Sequence, residues 1–482
     1  MERHSARCGG NGLLRLLRIG DNGRVSLLGP LFGWEAVDNL WTDRARVQAM
    51  LDFEAALARA EAREGVIPAA AVPAIAAQCR AELFDLSALA QAAAPAGNIA
   101  IPLVKQLTRL VAKANPEAAG FVHWGATSQD AIDTGFVLQM RGALDRIGGE
   151  LGRFAASLEQ LVRRHRATAC VGRTWLQQAL PITFGLRVAG WLDAVDRHRH
   201  RLDQARHRVL VLQLGGAAGT LAALGDRGIQ VARALGEELG LGVPPMAWHT
   251  HRDRVAEIAT VLALCAGTMG KIARDISLQM QTEVAELFEP AGEGRGGSSA
   301  MPHKRNPVTS AVVLAAAIRL PALASTMLTA MVQEQERGLG GWNAEWEVMP
   351  EIISLAAGAL HHLRETVAGL EIDSERMRRN IDVTHGLIFS EAVQMALAGR
   401  IGRQAAHDLL EEACRRAQTE NRHLRDILAG DPAFSSQLPA SELDRLFDPQ
   451  QYLGATQALI DRVLAAHASF RPEAAPEAEM NR

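Results

Sequence analysis

A glycine-rich loop that runs directly into a helix carries the residues best suited to chemistry. It reads Gly296-Gly297-Ser298-Ser299-Ala300-Met301-Pro302-His303-Lys304-Arg305-Asn306-Pro307. Asn306 is the predicted N-cap and Pro307 the first helical residue. A helix start offers free backbone N–H groups to an anion, and Lys304 adds a positive charge beside them. Such a site stabilises the charge that develops when a proton leaves a carbon next to a carboxylate. By composition alone, however, most loops of this kind only connect two elements.

The same loop, written Gly-Ser-Ser-x-Met-Pro-x-Lys-x-Asn-Pro, resembles the signature of the fumarase/aspartase superfamily. The resemblance implies an all-α homotetramer with a central bundle of long helices from four subunits and active sites that three subunits share. It also implies that Ser298 acts on the Cβ proton and that Lys304 and Asn306 stabilise the charged intermediate. Ser299 and Met301 are then expected to contact the substrate.

A second segment, His123-Trp124-Gly125-Ala126-Thr127-Ser128-Gln129-Asp130, precedes another predicted helix with Thr127 or Ser128 as its cap. An ordinary capped helix explains this string about as well as an anion-binding site does. The segment also resembles the Thr-Ser substrate segment of the superfamily. That resemblance implies that His123, Thr127 and Ser128 bind substrate.

A third segment, Gly172-Arg173-Thr174-Trp175-Leu176-Gln177-Gln178-Ala179, is expected to be a loop, and it departs from the amine-releasing lyases of the superfamily. Trp175 stands where adenylosuccinate and argininosuccinate lyases have a histidine on the acid side of the chemistry. A further histidine of the adenylosuccinate lyases is missing near Asn98. General-acid help is worth about 10²–10⁴-fold to a leaving amine. A carboxylate leaves unaided, because the pKa of its conjugate acid is about 4.

The departures resemble the carboxymuconate cycloisomerases, a branch of the same superfamily, over residues 31 to 466. In that branch one carboxylate adds across a double bond of the same molecule. The resemblance implies a tricarboxylate substrate, 3-carboxy-cis,cis-muconate from the protocatechuate branch of aromatic catabolism, which closes to 4-carboxymuconolactone. It places Asn98, Arg173, Trp175 and Gln177 at the substrate. Arg337 is as readily a solvated helix end as a contact to a substrate carboxylate.

Two other functions stay open at this point. An adenylosuccinate lyase-like elimination that gives fumarate would share the signature, but the histidines it needs are missing at Trp175 and Asn98. A non-catalytic structural member of the superfamily would keep the helix bundle and could lose Ser298 or Lys304. Both of these residues are present, which argues against a purely structural role.

The helices that must position these residues appear as apolar repeats. From Phe184 to Val209 the apolar side chains step alternately by four and three residues, which predicts one long helix of a bundle. A second repeat spans residues 258–276, and a third runs from Val308 to Met331 with a kink at Pro321. The predicted organisation is a disordered extension (1–30), an N-terminal helical domain (31–135), a central bundle domain (136–387), a C-terminal helical domain (388–470) and a disordered tail (471–482).

Composition excludes several classes of function. A formal net charge of −3 with interspersed signs gives nucleic acid no basic surface. The five cysteines form no C-x-x-C pair, which is typical of reduced thiols in a cytoplasmic protein. We find no run of about 18 uncharged apolar residues and expect no membrane span. His249 and His251 lack an accompanying ligand set, so we interpret them as a surface or capping pair and expect no metal and no cofactor.

Overall fold

The computed structural model describes residues 27–292, 296–297, 301 and 303–470. Helices dominate this part of the chain, and the predicted all-α class is confirmed. The α-helices in chain order are α1 Gly29–Phe32, α2 Glu35–Asp38, α3 Asp43–Arg63, α4 Val72–Gln78, α5 Leu86–Ala96, α6 Ala100–Ala114, α7 Ser128–Arg164, α8 Phe184–Val209, α9 Gly228–Leu239, α10 Asp253–Gln279, α11 Val308–Thr329, α12 Gly341–Ala368, α13 Ser374–Asp382, α14 Ser390–Ile401, α15 Arg403–Glu420, α16 Leu424–Ala429, α17 Pro432–Ser435, α18 Ala440–Leu446 and α19 Thr456–Ser469.

Two small antiparallel sheets interrupt the helices. Strands β1 (Ala169–Thr174) and β2 (Gln177–Thr183) form a hairpin, and the short strands β3 (Leu287–Phe288) and β4 (Glu371–Ile372) pair with each other. The hairpin corrects the prediction of a loop before α8. Its two turn residues, Trp175 and Leu176, have φ of 52° and 65°. Positive φ at both central residues matches the twist of a tight hairpin, a geometry that the residue types at this turn do not announce.

Five long helices are present where the apolar repeats predicted three. The apolar repeats correspond to α8, α10 and α11. The start of α7 was predicted from its cap but its length of 37 residues was not, and α12 with 28 residues was missed. Glycines recur inside α7, and Pro350 lies inside α12. Both residue types have low helix propensity in isolation, so only tertiary packing makes these segments helical.

The described chain forms two compact units, each assembled from three separate stretches. The first unit takes its residues from Met1–Gly149, His200–Gly267 and Ala315–His361. One of its cores packs α3, α4 and α6 through side chains such as Leu51, Ile75 and Leu103. The three-domain division at residues 135 and 387 stays a prediction.

The second unit takes its residues from Glu150–Arg199, Thr268–Leu314 and His362–Arg482. A core around α14, α15 and α16 includes Val393, Leu410 and Ile427. The tail predicted to be disordered, 471–482, lies outside the described residues. Residues 1–26 of the predicted extension also lie outside the described residues, and α1 begins at Gly29, within the last residues of that extension.

Two helices are long and apolar enough to cross a membrane by length and composition, although charged residues interrupt both, Lys271 in α10 and Arg319 in α11. In α10 the apolar stretch is 61% buried, as in the core helices of soluble proteins, which pass the same test. In α11 it is only 33% buried. Ile318 and Leu328 on α11 are 76% and 51% exposed. Among the residues that the structure describes, part of the apolar surface of α11 therefore has no partner.

Candidate active site

Thr127 and Arg337 meet at the start of α7. The helix begins at Ser128, so Thr127 occupies the predicted cap position. Its backbone N–H donates to Oδ2 of Asp130 at 3.0 Å, in the manner of a capping box. Its hydroxyl accepts a hydrogen bond from Nη1 of Arg337 at 3.2 Å. The structure thus brings two predicted site residues together at the positive end of a helix.

The other partners of Arg337 are also neutral. Its Nη2 donates to the carbonyl oxygens of Gly216 at 3.4 Å and Ala217 at 2.9 Å. Within residues 27–292 and 303–470, the charge of Arg337 forms no ion pair with a carboxylate. A half-buried guanidinium that is positioned but not neutralised is suited to bind an anion.

Asp130 fastens a glycine-rich loop onto the start of α7. Its carboxylate accepts the backbone N–H groups of Gly215 at 3.0 Å and Gly216 at 2.9 Å. Gly216 has φ of 67°, and a Cβ there would lie 2.9 Å from the carbonyl oxygen of Gly125. Only glycine allows this approach. The loop that carries the acceptors of Arg337 is therefore clamped in place by a buried carboxylate that sequence reasoning had not singled out.

His249 is part of this arrangement and not a surface residue. It is 3% exposed, and its Nε2 lies 2.8 Å from Oδ1 of Asp130, which corrects the interpretation of a surface or capping pair. His251 is exposed. No group of three or more His, Cys, Asp or Glu side chains in the described ranges could hold a metal ion. That the enzyme needs neither metal nor cofactor stays a prediction.

A buried ionic cluster lies further along α7. Arg252 is enclosed by Asp133, with 2.7 Å between Nη1 and Oδ2, and by Glu345, with 2.9 Å between Nε and Oε1. Trp342 Nε1 donates to Oδ1 of Asp133 at 2.9 Å. Burial raises the pKa of the Glu345 carboxyl. Removal of one member of such a cluster leaves an uncompensated buried charge, so the cluster fixes α7 against α12. Nothing in the local sequence had indicated it.

Asn98 forms no hydrogen bond with Thr127 or Arg337 in the described part of the chain. Its Oδ1 accepts the backbone N–H of Ile101 at 3.2 Å at the start of α6. It lines a largely apolar cavity of about 410 Å³ whose walls include Asp133 and Arg252 but no other predicted site residue. The substrate contact of Asn98 stays a prediction.

Arg173, in the hairpin of the second unit, is not a free cation. It forms two hydrogen bonds with Glu286, Nη1 to Oε2 at 3.0 Å and Nη2 to Oε1 at 2.6 Å. Glu286 is fully buried and also accepts from Nδ2 of Asn380 at 2.8 Å. The charge of Arg173 is therefore already compensated by a carboxylate of this chain. Its contact with the substrate stays a prediction.

The tip of the same hairpin projects an aromatic side chain into solvent. Trp175 is 98% exposed and Leu176 is 76% exposed. Gln177, the first residue of β2, is exposed as well. An apolar tip of this kind is typical of a surface that another chain covers.

The signature loop is described only in part, and Ser298 and Ser299 lie outside the described residues. Asn306 closes the base of the loop, because its backbone N–H and its Nδ2 both donate to the carbonyl oxygen of Gly296, at 2.9 and 3.2 Å. Lys304 is exposed, and its ammonium group has no partner among the described residues. Met301 is 43% exposed.

The helix after the signature loop differs from its prediction. It begins at Val308 instead of Pro307, and Asn306 does not cap it. Glu289 does so: its carboxylate accepts the backbone N–H groups of Thr309 at 2.9 Å and Ser310 at 2.8 Å. The expected free N–H groups are therefore already occupied, and Lys304 is the anion-attracting group that remains.

Comparison with known proteins agrees with this architecture. A family model described as Lyase matches residues 35–321, and one described as Adenylosuccinate lyase C-terminus matches residues 386–463. The chain belongs to this lyase family, and the resemblance to the fumarase/aspartase superfamily is confirmed.

Several of the similar proteins are named for one activity. 3-Carboxy-cis,cis-muconate cycloisomerase of Pseudomonas aeruginosa is 58% identical over 428 residues, which are 89% of this chain and 93% of that protein. The crystal structure of 3-carboxy-cis,cis-muconate lactonizing enzyme from Pseudomonas putida has a TM-score of 0.89 at 53% identity and covers 92% of this chain and 99% of its own. The structure of β-carboxy-cis,cis-muconate cycloisomerase from Acinetobacter calcoaceticus has a TM-score of 0.87 at 46% identity, with 92% and 100% covered.

Proposed function

We propose that this chain catalyses the cycloisomerisation of 3-carboxy-cis,cis-muconate to 4-carboxymuconolactone. The observation that carries the proposal is the 58% identity to a cycloisomerase over 89% of the chain. The site supports it, because Arg337 and the start of α7 offer positive charge without a carboxylate partner in the described part of the chain. A tricarboxylate needs such charge.

The reaction joins two ends of one molecule. One substrate carboxylate oxygen adds to a carbon of a double bond, and the electron pair of that bond moves to the neighbouring carbon. The resulting enolate-like anion, next to another carboxylate, takes up one proton at carbon, so the trianion and the proton become a lactone dianion. Lys304 would stabilise the anion, since preorganised charge is the largest contribution in such steps. Ser298 would deliver the proton.

Trp175 fits this chemistry better than amine elimination. In the reverse direction the leaving group is a carboxylate, which is stable as an anion and needs no acid. The reaction therefore needs no general acid at this position, and a tryptophan can stand where amine-releasing lyases have a histidine. Amine elimination giving fumarate is the alternative to be tested.

We further propose that the active enzyme is a cytoplasmic homotetramer with dihedral symmetry. The predicted site residues are divided between the two units, with Thr127 and Arg337 in the first and Trp175 and Lys304 in the second. The exposed apolar surface of α11 is suited to burial against other copies of the chain. Cys79, Cys170, Cys265 and Cys414 are free thiols, as expected in a reducing compartment.

An ultraviolet assay tests the activity. Purified protein mixed with 3-carboxy-cis,cis-muconate should abolish the absorbance of the conjugated diene, and adenylosuccinate should give no fumarate. Ser298→Ala should lower kcat by about 10²–10⁴-fold, the scale of general-acid catalysis, while binding is retained. Fumarate release from adenylosuccinate with an unchanged muconate spectrum would show that the alternative is correct.

A further inference from the structure

Two glutamates are buried on α3, a helix that carries none of the predicted site residues. Glu54 is 2% exposed and Glu61 is 0% exposed. Seven positions separate them, close to two helical turns, so they share one face of the helix. Carboxylates are almost never fully buried unless they have partners. The burial of these two carboxylates therefore calls for a physical explanation.

Glu54 has a partner in the segment that also contains Thr127 and Ser128. Its Oε1 is 2.6 Å from Nδ1 of His123, so the carboxylate accepts a hydrogen bond from that nitrogen. The contact turns the Nδ1 edge of the ring towards Glu54, so Nε2 points away from Glu54. Nε2 has no partner in the described part of the chain. The side chain of His123 retains 15% exposure, so the ring is accessible.

The backbone also constrains His123. Its φ is 58°, in the left-handed region that residues other than glycine rarely adopt. Such a conformation costs energy and persists where the surroundings impose it, often at functional sites. His123 is followed within four positions by Thr127, whose hydroxyl contacts Arg337. The strained backbone and the contact with Glu54 together fix the ring near the start of α7.

The charges around the ring favour its protonated form. Burial disfavours the charge, but Glu54 on α3 and then Asp130 on α7 outweigh it, so the pKa of His123 is raised. Glu61 faces Glu54 and does not compete for the proton on His123, since burial and then Glu54 raise the pKa of Glu61 to about 9. Cys79 also faces Glu54 and is a neutral thiol. Glu54 is thus the buried carboxylate that contacts the ring directly.

We propose that Glu54 is a positioning residue, which holds His123 with Nδ1 inward so that the Nε2–H edge of the imidazolium binds a carboxylate of the substrate. This inference rests on the proposed function, because a substrate with three carboxylates can use a third cation in addition to Arg337 and Lys304. Glu54 itself does not touch the substrate. Its effect passes through the orientation and charge of His123.

Steady-state kinetics over a range of pH test the proposal with a matched pair of variants. Glu54→Gln keeps the shape and removes the carboxylate that contacts His123, whereas Glu61→Gln makes the same substitution on the same helix face without touching His123. Glu54→Gln should raise KM about tenfold with kcat little changed, the scale of a lost charge-assisted hydrogen bond. It should also move the pH at which KM begins to rise to a lower value. Glu61→Gln should leave both unchanged.

A second measurement does not depend on activity. Diethyl pyrocarbonate reacts with neutral imidazole, and peptide masses report its rate at His123. At pH 6 the ring should react faster in Glu54→Gln than in wild type and Glu61→Gln. This rate tests the coupling even if no cycloisomerase activity is found, so the two proposals fail separately. The inference would be overturned if Glu54→Gln and wild type showed the same modification rate of His123 and the same pH dependence of KM. It would also be overturned if Glu54→Gln and Glu61→Gln changed these two quantities equally.

A third variant covers the case in which Glu54→Gln does not fold. His123→Asn leaves α3 intact and removes the cation. Its KM should be about tenfold higher than that of wild type and should lose the pH dependence. A His123→Asn enzyme with wild-type KM at every pH would overturn the proposal.

Discussion

The hydroxyl of Thr127 accepts a hydrogen bond from the guanidinium of Arg337 at 3.2 Å, although 210 positions separate the two residues in the sequence. The contact unites the start of α7 with a loop that follows α11. The positive end of α7 and the guanidinium of Arg337 each favour a bound anion. They lie side by side, and the guanidinium has no carboxylate partner in the described chain.

Replacement of this cation should weaken substrate binding more than catalysis. Arg337→Met is expected to raise KM by about 10- to 100-fold, since a hydrogen bond to a charged group is worth roughly 1.5–3 kcal/mol. Arg337→Lys should recover part of the loss, because it restores the charge but not the two-pronged geometry. Arg233→Met, at an exposed arginine of α9, is the control and should leave KM unchanged. A normal KM in Arg337→Met would remove Arg337 from the site.

The cap that Glu289 forms on α11 should matter for both stability and turnover. Glu289→Ala leaves the N–H groups of Thr309 and Ser310 without an acceptor, which should lower the free energy of unfolding by about 1–2 kcal/mol. It should also lower kcat, because α11 follows the signature loop. Asp85→Ala removes the cap of α5 and should reduce stability without lowering kcat. Urea titration and kinetics on both variants measure this. An unchanged kcat in Glu289→Ala would contradict the link.

The burial of Glu61 predicts a pH-dependent stability. Its pKa is raised from about 4.5 to about 9, so the folded state binds a proton that the unfolded state releases between these values. Stability that depends on this group is therefore present below pH 4.5 and is lost as pH rises towards 9, by up to roughly 1.4 kcal/mol per pH unit. Glu61→Gln should remove this slope and be more stable than wild type at pH 8. Parallel stability curves from pH 5 to 9 would contradict the assignment.

Trp175 offers a test of the leaving-group argument. Trp175→His supplies the acid that amine-releasing lyases use, but lactonisation has no use for it. We expect no gain in kcat and a lower kcat/KM, because the aromatic surface is lost. Trp175→Phe should retain more activity than Trp175→His. A faster Trp175→His enzyme would show that proton supply limits the reaction, and His123 and His303 would then be the residues to examine.

The apolar surface of α11 predicts how the protein assembles. Ile318→Asp places a charge at a position that is 76% exposed in the single chain but buried in the proposed tetramer. Light scattering should report a lower mass for this variant than for wild type. Met395→Asp, at a 63% exposed position of α14, is the control and should leave the mass unchanged. A wild-type protein that is active as a monomer would overturn the tetramer.

Local patterns in the sequence were sufficient for the family and for the three long helices with apolar repeats. The signature around Lys304, the Thr-Ser segment at Thr127 and the departure at Trp175 each lie within a few consecutive residues. The period of α8 and α10 is equally local, because a helix repeats every 3.6 residues wherever its apolar face is buried. The length of α7 and the whole of α12 escaped this reasoning, since glycine or proline weakens their local helix preference and long-range packing overrides it.

The tertiary structure alone decided which charges are available. Arg173 and Lys304 are both cations in the sequence, yet Arg173 is neutralised by Glu286 from 113 positions away, while Lys304 has no partner in the described chain. The N–H groups at the start of α11 are likewise occupied by Glu289, and Nδ1 of His123 is hydrogen-bonded to Glu54. Hydrogen bonds and ion pairs form between whichever groups folding brings within about 3 Å. The separation of those groups along the chain has no bearing on that distance, so the partners of a charge become known only once the chain is folded.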